Sequence, residues 1–219
     1  MSSSVVGPLD VHPVGPSNGS ARRALSDRQA QTVQKLVLAA VEELREQGFD
    51  GLTVRNVARR AGVAPATAYN YFASREHLVT EVFWRRLRTL AESRVDMRHS
   101  APERVSATMT DLALLVADEP ELASACTVAM LATDPEVKLL RDRIGVEWRR
   151  RLSLALGENA DPAVLTTLEF AMSGALLQAG MGHLRYEDLP ARLDGAVRLV
   201  VPGGSMTDMT RKNEGTSWR

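Results

Sequence analysis

From about residue 26 to residue 201 the apolar residues recur at intervals of three and four, and no run alternates apolar with polar. That period is the one an amphipathic helix needs, so the pattern predicts helices and no strands. The first helix starts near Ser26, with Asp27 in its first turn, and lines up Val33, Leu36, Val37, Ala40, Val41 and Leu44 on one stripe. Gly48 ends it, because glycine tolerates the left-handed backbone of a helix stop, and Phe49 can then fold back. Thr53 opens a short helix to about Arg60, Gly62 breaks it, and a second short helix runs from Ala64 to about Tyr71. Ser74 is the N-cap of a longer helix to about Met97 carrying Leu78, Val82, Phe83, Leu87 and Leu90. Further helices are expected at about 102–118, 119–130, 134–157, 161–184 and 186–201. Asp134-Pro135 and Asp161-Pro162 mark two of these starts, each pairing a cap acceptor with proline at the first helical position.

Residues 1–24 and 202–219 are rich in Ser, Gly and polar groups with few large apolar side chains, so both read as disordered tails. The 219 residues carry 27 basic and 27 acidic side chains, a balance that conceals an asymmetry. Lys and Arg outnumber Asp and Glu 14 to 10 over residues 1–98 and are outnumbered 10 to 15 over 99–201. Between Thr53 and Arg75 lie four arginines and no acid. A basic end on an acidic body suits a protein that meets phosphates at one end. The single Cys126 and four scattered histidines build no disulfide and no metal site, and no metal or other cofactor is expected. The absence of a signal-like leader and of a membrane-length apolar run makes the expected location cytoplasmic, with no membrane partner.

The stretch Thr53-Val54-Arg55-Asn56-Val57-Ala58-Arg59-Arg60-Ala61-Gly62-Val63-Ala64-Pro65-Ala66-Thr67-Ala68-Tyr69-Asn70-Tyr71-Phe72 has the form of a helix-turn-helix. Ala58 is small where two helices cross, Gly62 permits the tight turn, and Val54, Val57, Val63 and Ala68 supply buried contacts. The chain here resembles the TetR/AcrR family of regulators through Gly48-Phe49, Thr53-Val54, Ala58, Ala61-Gly62-Val63, Thr67, Tyr69, Tyr71-Phe72 and Ser74-Arg75-Glu76-His77-Leu78. The match covers about residues 26–83. Ala66 stands where the family usually has glycine, and Arg75 where it usually has lysine.

The resemblance implies an all-α fold, with a three-helix DNA-binding domain over 25–72 and a helical ligand-binding and dimerisation domain over 73–201. It also implies a homodimer, joined through the last two long helices, that binds a palindromic operator in double-stranded DNA. The function expected is transcriptional regulation, most simply a repressor released by a small apolar or amphipathic effector. An activator or architectural protein on the same scaffold, or a helical ligand-binding protein that no longer binds DNA, are the alternatives. No phosphate loop, no Gly-x-Ser-x-Gly and no paired nucleophile and histidine point to an enzyme.

On that reading Thr53 caps the second helix and, as the resemblance implies, touches the DNA backbone. Arg55 reaches phosphate or a groove edge, and Ala64, Pro65, Ala66, Thr67 and Asn70 lie on the DNA face. The resemblance assigns Tyr69 and Tyr71 to phosphate, with a place in the core as the alternative for each. Arg75 holds a phosphate through its fork. Arg59 and Arg60 either contribute to the field around DNA or are plain surface charges. In the body, the stripes Leu165, Leu168, Met172, Ala175, Leu176, Ala179 and Leu189, Leu193, Val197, Val200 are candidates for the dimer face or for intramolecular core. Met109, Leu112, Met130, Trp148, Phe170 and Leu177 are candidates to line an apolar effector pocket. The run Arg149-Arg150-Arg151 is either a solvated face or an anion site.

Overall fold

The computed structural model describes residues 18–90, 96–158 and 160–202, with side chains from Asp27 onward. Among them there are helices and no strand: α1 (Asn18–Gly51), α2 (Val54–Arg60), α3 (Pro65–Tyr69), α4 (Arg75–Thr89), α5 (Ala101–Ala113), α6 (Pro120–Met130), α7 (Pro135–Leu156), α8 (Pro162–Gly180) and α9 (Leu189–Val200), the last preceded by a single 3-10 turn at Tyr186–Asp188. Helix α1 begins at Asn18 and not near Ser26, so residues 18–24 are helical where a tail was expected. Ala21, Arg22, Arg23, Ala24 and Leu25 are all good helix formers, and nothing among them halts propagation toward the N-terminus. Residues 1–17, 91–95, 159 and 203–219 lie outside the described residues, and the fourth helix, expected to run to about Met97, ends at Thr89, with Leu90 at φ −59° and ψ 115° and Asp96 and Met97 outside any helix.

The caps that the sequence proposes are made. Thr53 Oγ1 accepts from Asn56 N at 3.0 Å, Ser74 Oγ from His77 N at 3.0 Å, Asp134 from Glu136 N at 2.8 Å and Asp161 from Ala163 N at 2.7 Å. Gly48 adopts φ 65° and kinks α1, after which one more turn brings Phe49 against the core. Gly62 adopts φ 65° between α2 and α3, the conformation the tight turn demands. The apolar stripes of α1 and α4, including Leu36, Leu44, Leu78 and Leu87, pack into one cluster that continues through α5 to α9.

Helix α4 lies parallel to α7 and is tied to it at both ends. Ser74 Oγ donates to Asp134 Oδ2 at 2.7 Å where both helices begin, and Arg151 Nη2 donates to the carbonyls of Leu87 and Leu90 at 3.3 and 3.1 Å where α4 ends. Phe83 meets Trp148 edge-on between these points, with ring centroids 6.4 Å apart. The helix that follows the DNA-binding segment is thus held in register on the body. Glu119, buried at the start of α6, completes the junction by pairing with Arg45 of α1 at 2.9 Å and with Arg86 of α4.

Arginine caps are the recurrent device of this fold. The last carbonyls of a helix have no partner within it, and a guanidinium can satisfy them while favouring the negative end of the helix dipole. Arg75 does this for α1, Arg151 for α4, Arg141 for α6 through Met130 O at 2.6 Å, and Arg104 for α7 through Ala155 O at 2.8 Å. The run Arg149-Arg150-Arg151 is accordingly not a free anion site. Arg149 pairs with Glu169, Arg150 and Arg151 pair with Glu147, and Arg151 is buried. Hydrogen bonds from Arg150 and then Arg151 hold the Glu147 carboxyl at about 2, below the usual carboxylate range.

The stripes on the last two helices face inward. Leu165, Leu168, Met172 and Ala179 on α8 and Leu189, Leu193 and Val197 on α9 are buried within the protomer. They belong to the intramolecular core, one of the two alternatives for the stripes, and Ala175, Leu176 and Val200 are half-buried against it. The opposite side of α8 exposes Phe170, Gly174, Leu177 and Met181 at alternating spacings of four and three, and α9 exposes Leu199.

Helices α6 and α8 approach closely at Gly180. A Cβ built there would lie 2.1 Å from Thr127 Oγ1 and 2.6 Å from Thr127 Cβ, so the helices must part to admit it. Gly180→Ala is expected to destabilise the protein by about 1–3 kcal/mol through overpacking. Gly145→Ala, whose Cβ meets nothing within 4 Å, is expected to leave thermal unfolding unchanged or raised. Equal melting temperatures for the two variants would show that the contact is not tight in solution.

Candidate nucleic-acid interface

Helices α2 and α3 cross with Ala58 and Ala68, both fully buried, at the crossing, and Val54 and Val57 seal α2 against α1. Val63 N donates to Ala58 O at 2.9 Å and closes the turn. With Ala68 facing inward, the rest of the α3 segment faces out: Ala64, Pro65, Ala66, Thr67, Tyr69 and Asn70 are all exposed. Small side chains at these positions let a flat surface approach the helix backbone.

The two tyrosines separate. Tyr69 is 52 % exposed, and Tyr71 is half-buried and packed against the core. Sequence spacing leaves both roles open for both residues, because Tyr71 lies just past the end of α3, where the helical period no longer says which way a side chain points.

The arginines separate as well. Arg55 and Arg59 are exposed on α2, Arg59 Nη2 donating to Asn56 Oδ1 at 3.4 Å. Arg60 turns back onto α1, where Nε meets Glu43 Oε2 at 2.7 Å and both Nη groups meet Glu46. Glu43 is itself buried, so this pair staples α2 to α1. Arg75 is turned inward too: Nη1 donates to Phe49 O at 2.9 Å and Asp50 O at 3.4 Å, Nε to Glu76 Oε1 at 3.0 Å, and the guanidinium stacks 4.3 Å above the Phe49 ring. Nη1 of the fork expected on phosphate is engaged by the carbonyls at the end of α1, because the Gly48 kink brings that end against the start of α4. Of the four arginines between Thr53 and Arg75, Arg55, Arg59 and Arg60 are exposed, and Arg60 among these is committed to Glu43 and Glu46.

The effector candidates differ in burial. Met109 and Leu112 are fully buried on α5, Met130 and Trp148 are half-buried, and Phe170 and Leu177 lie on the outer face of α8, with Phe170 74 % exposed. Helical spacing marks an apolar residue without saying which side of its helix meets the body, and these two are on the far side. The groove of about 540 Å³ between α1 and α4 contains none of the six. Trp148 Nε1 is buried with no hydrogen-bond partner among the described residues. Cys126 is buried, and burial pushes its thiol up to about 12, so it is no reactive thiolate.

A short exposed helix, held across a glycine turn by a second helix that presents two open cations, is the architecture of a helix-turn-helix DNA reader. The family of bacterial regulatory proteins named for tetR matches residues 36–82. An uncharacterized HTH-type transcriptional regulator of Mycobacterium tuberculosis strain H37Rv is 46 % identical over 180 residues, covering 81 % of this chain and 84 % of that protein. The chain belongs to the tetR family and is a DNA-binding transcriptional regulator. It is also 26 % identical over 190 residues, 82 % of this chain and 87 % of the other, to the HTH-type transcriptional repressor KstR of Rhodococcus jostii. The fold is similar to that of the regulator FadR from Bacillus subtilis, solved with stearoyl-CoA, at a TM-score of 0.59 and 21 % identity over 78 % of this chain and 98 % of that one.

Proposed function

We propose that this regulator is a repressor that binds a palindromic operator as a homodimer in the cytoplasm and leaves it when a small apolar or amphipathic effector enters the body. It acts by binding and not by catalysis. The observation that carries the reading is the outward face of α3, which has no intramolecular work to do, set beside the open Arg55 and Arg59. The helix-turn-helix unit of residues 25–72 reads DNA, and residues 73–201 bind the effector and the second protomer. Thr53 and Tyr69 stand where backbone contact is expected, and Ala64, Pro65, Ala66, Thr67 and Asn70 where base edges are. Tyr71 and Arg75 position these elements from behind.

The dimer forms through the outer face of α8 and α9. Phe170, Leu177, Met181 and Leu199 are large apolar groups that a lone protomer leaves in water, and Gly174, with open space at its Cβ, lets a partner helix approach. Met109, Leu112, Met130 and Trp148 are the residues retained for the effector pocket. The unpartnered Trp148 Nε1 favours an effector with a hydrogen-bond acceptor, and the FadR complex with an acyl thioester is a precedent for an amphipathic one. Release requires the effector to prefer the conformation that binds DNA poorly.

The test is titration of the full chain against the DNA upstream of its own gene and against random duplex, with and without stearoyl-CoA, beside a reporter in cells lacking the gene. Operator affinity well above random binding and a reporter that rises on deletion are expected. A reporter that falls makes the protein an activator, and equal affinity for both duplexes ends the operator reading.

A further inference from the structure

We propose that the base pairs lying against α3 are A·T pairs, and that they are recognised mainly through the thymine 5-methyl groups by Pro65, Ala66 and Thr67. The inference rests on the reading of α3 as the recognition helix and goes further by naming the chemistry it reads. From Ala61 to Ser74 the sequence has no charged side chain. Guanine presents two acceptors in the major groove, and the side chains that read it strongly are Arg and Lys. Arg55 and Arg59, exposed cations among the described residues, are on α2, the helix that in this motif crosses the backbone and does not enter the groove. Arg60 and Arg75 are held by Glu43, Glu46 and the end of α1.

What α3 offers instead is apolar surface with two polar groups. Ala66 and Asn70 project opposite the buried Ala68, flanked by Thr67 on one side and by Pro65 and Tyr69 on the other. The methyl and ring carbons of Ala66, Pro65 and Thr67 match one feature of the groove, the thymine methyl, while the Asn70 amide can pair with adenine N6 and N7. The same carbons would cover guanine O6 or cytosine N4 without giving it a hydrogen bond, which is costly, so the surface also selects against G·C. Ala66 in place of glycine adds one of the methyls on which this complementarity depends.

The experiment is selection of duplexes by the full chain from a random pool at fixed salt, followed by replacement of each dT of the selected site, one at a time, with dU, which removes only the methyl. Two or more dT in each half-site are expected to lose about fourfold in affinity on replacement, the effect of one buried methyl-sized group. Thr67→Val keeps the methyl and should keep the preference for dT over dU at its position, whereas Thr67→Ser keeps the hydroxyl and should lose it. Thr67 is exposed, so neither variant threatens the fold. A selected site that responds to no dU replacement, or whose essential pairs are G·C where Thr67→Ser acts, overturns the inference and leaves operator binding standing. A pool from which no sequence is enriched overturns both.

Discussion

A chain carrying Phe170→Glu and Leu177→Glu is expected to sediment as a folded monomer, while a chain carrying Leu193→Glu alone is expected not to fold. The contrast follows from which side of the last two helices each residue occupies. Phe170 is 74 % exposed in the protomer, so a carboxylate there remains hydrated unless a partner chain covers it. Two such charges on each of two facing helices would set like charges against one another in an interface that should be apolar, and association should fall by orders of magnitude. Leu193 is 2 % exposed in the intramolecular core, and an unpaired charge there costs roughly 4–5 kcal/mol or more, a large share of the stability of a domain. Circular dichroism and sedimentation of both variants decide the matter. A Phe170→Glu/Leu177→Glu protein that stays dimeric moves the interface elsewhere, and a well-folded Leu193→Glu would mean that α9 does not pack as described.

Arg75→Ala is expected to lower stability by about 2 kcal/mol and to weaken operator binding without changing the salt slope, whereas Arg55→Ala should reduce the slope and leave stability alone. Hydrogen bonds from a charged donor contribute about 1.5–3 kcal/mol each when the acceptor would otherwise go unsatisfied. Arg75 makes such bonds to Phe49 O and Asp50 O and is stacked on the Phe49 ring, but it is a third exposed, which reduces the figure. Lysine cannot reproduce two carbonyl contacts and a planar stack, so Arg75→Lys should recover little. Arg55 has no such work and is open to solvent beside α3. Every phosphate that the variant no longer neutralises should reduce the magnitude of the slope of log affinity against log salt by about one, hence by about two for a dimer. Melting curves and binding across a salt series measure both. If Arg75→Ala flattens the slope and Arg55→Ala does not, the phosphate belongs to Arg75 after all.

These two cases mark where reading a sequence stops. The helices, their caps at Thr53, Ser74, Asp134 and Asp161, the breaks at Gly48 and Gly62 and the helix-turn-helix itself were legible, because each depends on a few neighbouring residues and on one period. The outward face of α3 was legible for the same reason: with Ala68 inward, the helical period points the others out. Local sequence therefore determined most of the helices and which short helix follows the glycine turn, though not the extension of α1 back to Asn18.

The tertiary structure decided what those residues touch. Arg60 and Arg75 look alike in a basic run, yet the first is taken by a buried carboxylate seventeen positions away and the second by carbonyls more than twenty positions away. Arg104, Arg141 and Arg151 become helix caps through contacts whose partners no local pattern announces. On α8 and α9 the apolar residues occupy both sides, so the period alone could not say which stripe is core and which is left for a partner. That choice is made by the close approach of α6 at Gly180 and by the packing of α5 against α9. Both join segments far apart in the chain, and only the folded geometry brings them together.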